Sequence, residues 1–483
     1  MPQSPQASAY RADPAILELG DAFYDPVEAA DFPQAILRFR NDRWAGTVGL
    51  AGLTDEEWVQ HFGRFVPLES NLPRPLALRY HGHQFRHYNP DIGDGRGFLF
   101  AQLRDGEDRL LDLGTKGSGQ TPYSRFGDGR LTLKGGVREI LATEMLEALG
   151  VETSKTFSLI ETGEALERGD EPSPTRSAVL VRLQHSHIRI GTFQRLAFYG
   201  ETENMARLVD YCLRHYYPGA AGAENAAAQA VRLLEESSRA TARLAASYVA
   251  TGFVHGVLNS DNIAITAQSF DYGPWRWTPY WDPSFTAAYF DRGGLYAFGR
   301  QAEAIQWDLM QLASSLTLLA EPEALTPAFQ AFTGHFHAAL REAVCRRLGI
   351  ASRGEEEDRA LIAAMENALL KQRVTIDRFF FDWRGGRRRT PSPADADYDG
   401  QDFAAFREIV AGYEASGPLD HPYWSDAEPC SMHIEEVEAL WKWIDEGDDW
   451  APLYEKIAAI RRMGEAMAPL PSGEGFYPRS SGR

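Results

Sequence analysis

The sequence predicts an α+β protein of two lobes, with an N-terminal extension over residues 1–75 and a mostly helical addition over residues 346–483. Three stretches predict it. The first is a glycine-rich turn, "GDGRG" at Gly93–Gly97, followed by the apolar run "FLFAQL", the turn "DGED" and the run "RLLDLGTK", a β-hairpin pattern with Lys116 at its end. The second is "VREILATEMLEALG", where Val137, Ile140, Leu141, Met145 and Leu149 fall on one face of a helix that Gly150 closes. The third is an Ala-rich helical stretch from about Glu224 to Ala250, which delivers the chain into the loop "FVHGVLNSDNIAI".

Taken in order, residues up to about Arg74 mix helical pattern with proline and read as an extension wrapped on the main body. A first lobe, residues 76–200, holds the hairpin, a second glycine-rich loop ("KGSGQTPYSRFGDGR"), the apolar-striped helix and the Val/Leu-rich strand candidate "SAVLVRLQ". A second lobe, residues 201–345, holds the Ala-rich helix and the loop after it. No solenoid-type repeat is visible, although "GDGR" occurs at both Gly93 and Gly127.

Hydrophobic content of 44% and charged content of 24% are those of a globular domain. The net charge of −19 opposes binding to nucleic acid or anionic lipid, and no apolar run is long enough to span a bilayer. The first thirty residues carry five acidic groups against Arg11 alone, which fits neither a secretory signal nor a transit peptide, so a cytoplasmic location is expected. Three cysteines, Cys212, Cys345 and Cys430, are too few for a disulfide framework.

The loop carries the chemistry. His255 and Asn262 stand at the spacing of the two ends of a protein-kinase catalytic loop, but Val257 occupies the position of the catalytic aspartate, and the carboxylate is displaced to Asp261. Downstream, "IAITAQSF" reads as two short strands and a turn leading to "DYG", where Asp271 replaces the aspartate of the kinase "DFG". Asn262 and Asp271 suit a hard cation shared with phosphate oxygens, Mg²⁺ or Mn²⁺. Upstream, Gly93, Gly95 and Gly97 leave room for backbone amides to approach phosphate, and Lys116 offers a point charge. Two glutamates compete to hold Lys116: periodicity favours Glu144, inside the apolar stripe, over Glu139 beside it. This order of parts makes the predicted fold protein-kinase-like.

The stretches "YHGHQF", "GDGRG", "KGSGQTPYSRFGDGR", "VREILATE", "HSHIRIGTF", "FVHGVLNSDN" and "DYGPW" together resemble the selenoprotein O family of pseudokinase-fold protein adenylyltransferases, from about Tyr80 to Leu316. The resemblance implies that ATP is bound in reverse of the kinase orientation and that AMP passes to Ser, Thr or Tyr hydroxyls of proteins, this chain itself included. It implies nucleotide contacts by Gly93, Gly95, Arg96, Lys116, Asp128, Gly129, Arg182, Arg189 and Asp271. It further implies Glu139 as the partner of Lys116, metal ligation by Asn262 and Asp271, and Asp261 as proton acceptor. Family members often carry a redox-active residue near the C-terminus, whereas this chain ends "PSGEGFYPRSSGR" with Cys430 its last cysteine. Two other readings fit the loop: a phosphotransferase with a relocated aspartate, and a nucleotide-binding scaffold without catalysis. His81, His83 and His87 lack a fourth ligand at metal-site spacing and are expected to pack or to touch the nucleotide lobe.

Overall fold

The computed structural model describes residues 8–468 apart from 170, 223, 224 and 418, so the C-terminal "PSGEGFYPRSSGR" and the expected helix start at Glu224 lie outside the described residues. The first ten strands in chain order are β1 (Tyr24–Pro26), β2 (Ile36–Arg40), β3 (Leu76–Leu78), β4 (Gly82–Gln84), β5 (His87–Asn89), β6 (Leu99–Arg104), β7 (Leu110–Lys116), β8 (Leu131–Thr132), β9 (Lys155–Leu166) and β10 (Thr175–Gln184). Eight of them form one antiparallel sheet ordered β1-β3-β6-β7-β10-β9-β2, with β8 paired to β10, while β4 and β5 make a separate hairpin. Residues 24–40, from the stretch read as an extension, supply both outer strands.

The sheet is buried on both sides, which is why its central strands read as continuous apolar runs. Phe98, Phe100, Leu111, Leu113, Val179 and Val181 face a core shared with Trp58 and Phe62, under the helices α1 (Asp42–Thr47) and α2 (Asp55–Phe62). The alternate residues, among them Leu99, Leu110, Ala178 and Leu180, face α3 (Leu133–Ala148) and join the largest core.

The helix α3 starts earlier than its apolar stripe predicts, because Thr132 accepts a cap from the Gly135 amide at 3.1 Å and both glycines of "LKGG" are inside it. Gly136 is required there: a Cβ would lie 2.3 Å from Leu159 Cδ1, so its absence lets α3 lie directly on β9. Gly150, in the left-handed region at φ +79°, follows the helix as predicted.

The helices α4 (Ile190–Tyr199), α5 (Thr202–Tyr216), α6 (Ala226–Thr251) and α7 (Gln301–Leu316) build the helical body beside the sheet. Asn225 caps α6 by accepting from the Ala228 amide at 2.9 Å, and Gly252 at φ +71° ends it, feeding the chain into the loop at His255. The two short strands expected in "IAITAQSF" are reduced to single bridges, Ala264 with Arg189 and Ser269 with Thr153, because each meets a different neighbouring segment and neither can extend. The residues beyond 345 are mostly helical, and the last helix, Ala451–Met467, returns to pack on α3. No helix among the described residues is long and apolar enough to cross a membrane.

Candidate active site

Strand period places the central lysine. Lys116 ends β7 on the same face as Leu110, and that face is covered by α3, so its ammonium meets the helix rather than solvent. It pairs there with Glu139 Oε1 and, at 2.7 Å, with Asp271 Oδ1. Glu144, favoured by periodicity, is not its partner. That carboxylate, on the far side of α3, is gripped by Arg461 at 2.6 Å and 2.8 Å. Periodicity alone favours the charged residue inside the apolar stripe, whereas the C-terminal helix supplies that residue's counter-charge.

Arg182 lies on β10 opposite Gly114, on the same sheet face as Lys116, and its Nη2 is 3.6 Å from Asp271 Oδ1. Arg189 precedes α4 and is held by Asp94 Oδ1 at 3.1 Å and by the Asp261 carbonyl at 2.9 Å. Its guanidinium rests on the ring faces of Tyr80 at 4.4 Å and Phe270 at 4.9 Å. Both arginines are buried, yet Arg182 Nε and Nη1 and Arg189 Nε have no acceptor. Buried donors of this kind are costly unless an anionic ligand completes them.

The catalytic-type loop is clamped from two sides. Beneath it, His255 Nε2 bonds the Phe270 carbonyl at 2.9 Å, and burial lowers its pKa. Above it, the β4 strand and the turn after it bring the His83 amide to Ser260 Oγ (2.8 Å) and the Phe85 amide to Asn259 Oδ1 (3.0 Å). Gly191 at the start of α4 admits the His81 carbonyl, which would lie 2.1 Å from a Cβ. "YHGHQF" is therefore a brace for the loop. His81 Nδ1 bonds Tyr88 Oη at 2.7 Å and His83 Nδ1 bonds Gln194 Nε2 at 2.6 Å.

Gly93, Gly95, Arg96, Lys116, Asp128, Gly129, Arg182, Arg189, Asp261 and Asp271 all line one cavity of about 630 Å³. Glu139 stands behind Lys116, and Asn262 beside Asp261 donates from Nδ2 to the Val257 carbonyl at 3.1 Å. The glycines serve a purpose the sequence reading did not foresee: a Cβ on Gly93 would enter the Tyr123 ring, one on Gly97 would meet the Thr115 carbonyl at 2.1 Å, and one on Gly129 would meet Gly119 at 2.2 Å. The two glycine-rich loops pack into each other. A separate cavity of about 350 Å³ between Trp44, Glu147, Lys155 and Arg346 contains none of the predicted site residues.

The electrostatics divide the two aspartates. Burial opposes ionisation of Asp271, but Lys116, Arg182, Arg96 and Arg189 outweigh it and hold the carboxyl well below its usual range, on a residue in the left-handed region at φ +63°. Burial pushes Asp261 up to about 6 despite Arg189, and its Oδ1 has no partner. Sequence reasoning missed Asp94, Tyr80 and Phe270, which hold the arginines. Asp94 was legible as the acid in "GDGRG", where it also caps the Leu78 amide at 3.0 Å.

A family model described as protein adenylyltransferase SelO matches residues 6–397. The chain belongs to the SelO family. Relatives in that family include a protein nucleotidyltransferase YdiU of Synechocystis sp., 41% identical over 93% of this chain and 97% of its own length. Another, from Gloeobacter violaceus, is 42% identical over 93% of this chain and 95% of its own, and a third, from Synechococcus elongatus, is 41% identical over 94% and 96%. The SelO match spans both glycine-rich loops, the braced loop at His255 and Asp271.

Proposed function

We propose that this SelO-family chain, folded as two kinase-like lobes, transfers AMP from ATP to Ser, Thr or Tyr hydroxyls of proteins. The observation that supports the reading is a cation-lined cavity that also holds Asp261, a buried carboxylate whose Oδ1 has no partner. In this reading the triphosphate satisfies the unpartnered guanidinium atoms of Arg182 and Arg189, Lys116 neutralises phosphate charge while held by Glu139, and Asp128, Gly129 and the first glycine-rich loop bound the nucleotide. The acceptor hydroxyl gives its proton to Asp261, its oxygen bonds the α-phosphorus, and the bond to the β-phosphate oxygen breaks to release pyrophosphate.

Among the described residues no three His, Cys, Asp or Glu side chains converge on a metal position. The oxygen donors of Asn262 and Asp271 instead suit a cation that arrives with phosphate oxygens, since Mg²⁺ commonly takes only one or two protein ligands alongside its substrate. These two residues would hold Mg²⁺ or Mn²⁺, which would offset charge on the phosphates. A kinase and an adenylyltransferase release different products from ATP. Chromatography of the reaction should show pyrophosphate formed in step with modified protein; ADP formed instead would mark the chain as a phosphotransferase, and unchanged ATP as a scaffold.

A further inference from the structure

The second glycine-rich loop carries a large, exposed aromatic residue. Phe126 stands at its tip with its ring uncovered, at 107% of the exposure of a free side chain, and it lines the nucleotide cavity. Single exposed aromatics are ordinary on protein surfaces. This one differs because the loop around it is fixed rather than loose.

Thr121 and Ser124 donate to the carbonyls of Asp94 and Gly95, which ties the loop to the first glycine-rich turn. Tyr123 reaches Asp25 and packs under Gly93. Gln120 Nε2 holds the Gly127 carbonyl at 2.8 Å, the Gly127 amide bonds the Ser124 carbonyl at 2.7 Å, and the Gly119 amide bonds the Gly129 carbonyl at 3.1 Å. Arg125 adopts φ +52°, a left-handed conformation that favours glycine, and so turns the next side chain out of the loop. The bonded frame therefore presents a bare aromatic ring at the wall of a cavity that Arg125, Arg130 and Arg168 line near the loop and that Lys116, Arg182 and Arg189 also line. Arg130 and Arg168 are engaged by Glu164 and Asp128, whereas Arg182 and Arg189 keep donors without acceptors, so triphosphate on these two leaves the base beside the loop.

We infer that Phe126 is the base-stacking residue of the site, covering the adenine and favouring a purine over a pyrimidine nucleotide. The inference rests on the proposed use of ATP. Stacking on an aromatic side chain is tolerant of base identity but grows with ring area, so the two-ring adenine gains more than a single-ring base.

The test compares wild type with Phe126→Ala and Phe126→Trp. ATP affinity is measured by calorimetry, and KM and kcat by transfer of α-labelled ATP and α-labelled UTP. Phe126→Ala should weaken ATP binding and raise its KM by about tenfold, with a smaller fall in kcat and a smaller effect on UTP; Phe126→Trp should restore the wild-type values. Unchanged ATP affinity in Phe126→Ala overturns the inference, and so does a variant whose only defect is a raised KM for the protein acceptor. Wild type that binds ATP with a Phe126-dependent affinity yet transfers no AMP supports the stacking while refuting the proposed reaction. Wild type that transfers AMP with no Phe126 dependence does the reverse.

Discussion

Replacing Asp261 with Asn should stabilise the protein while sharply slowing its reaction. Burial raises the Asp261 carboxyl from 3.8 to about 6, so the folded state holds its proton more tightly than the unfolded chain does. For a group raised in the fold, the stabilising contribution is fully present below the unfolded pKa and is lost as pH rises through the folded one. Above pH 6 the native protein bears the cost of an ionised, buried carboxylate, about 3 kcal/mol at ~1.4 kcal/mol per pKa unit. Asn occupies the same space without that charge. An unfolding entropy of ~2.1 cal/mol/K per residue over 483 residues converts the gain to a rise in Tm of about 3 °C at pH 7.5. The advantage should fall by about half at pH 5 and vanish below about pH 4, where wild-type Asp261 is protonated in both states. Transfer should drop by about 10²–10⁴-fold, the usual contribution of a general base, and wild-type kcat/KM should rise with pH up to about 6. Thermal unfolding across pH, alongside initial rates, reads both. An Asn variant no more stable than wild type at pH 7.5, or one that keeps full activity, would refute the reasoning.

Glu139→Gln should cut transfer by about 10²-fold by releasing Lys116 from its position, whereas Glu144→Gln should leave the rate unchanged and cost about 2 kcal/mol of stability through Arg461; rates and denaturant melts of the two variants separate the roles. Lys116→Met should lower kcat by about 10²-fold or more, as loss of a preorganised cation does, measured at saturating ATP. Arg189→Lys should reduce kcat/KM for ATP by about tenfold despite keeping the charge, because a lysine cannot bond Asp94, the Asp261 carbonyl and a phosphate from one planar group.

Much of this site was legible because its parts are local in sequence. The hairpin ending at Lys116, the helix after it and the loop from His255 to Asn262 each carry their own turn and periodicity signals. What stayed hidden depends on contacts between distant segments. The choice between Glu139 and Glu144 turns on Arg461, more than three hundred residues downstream, and no helical wheel contains that residue. The outer strands β1 and β2 were missed because they are only three and five residues long, too short to show a clear alternation, and β1 ends in proline. The glycines of the two loops were recognised, but that they fit each other, through Tyr123 and Gly119, is visible only when the loops are brought together. The role of "YHGHQF" was equally out of reach, since its bonds to Asn259 and Ser260 cross more than a hundred and seventy residues.

The most direct test of the account uses ATP labelled separately at the α- and γ-phosphates, incubated with the protein and Mg²⁺ or Mn²⁺, with Asp271→Ala alongside. Wild-type incubations should label protein from the α-position alone, and the variant should give no label. Label arriving from the γ-position would contradict the proposed transfer of AMP.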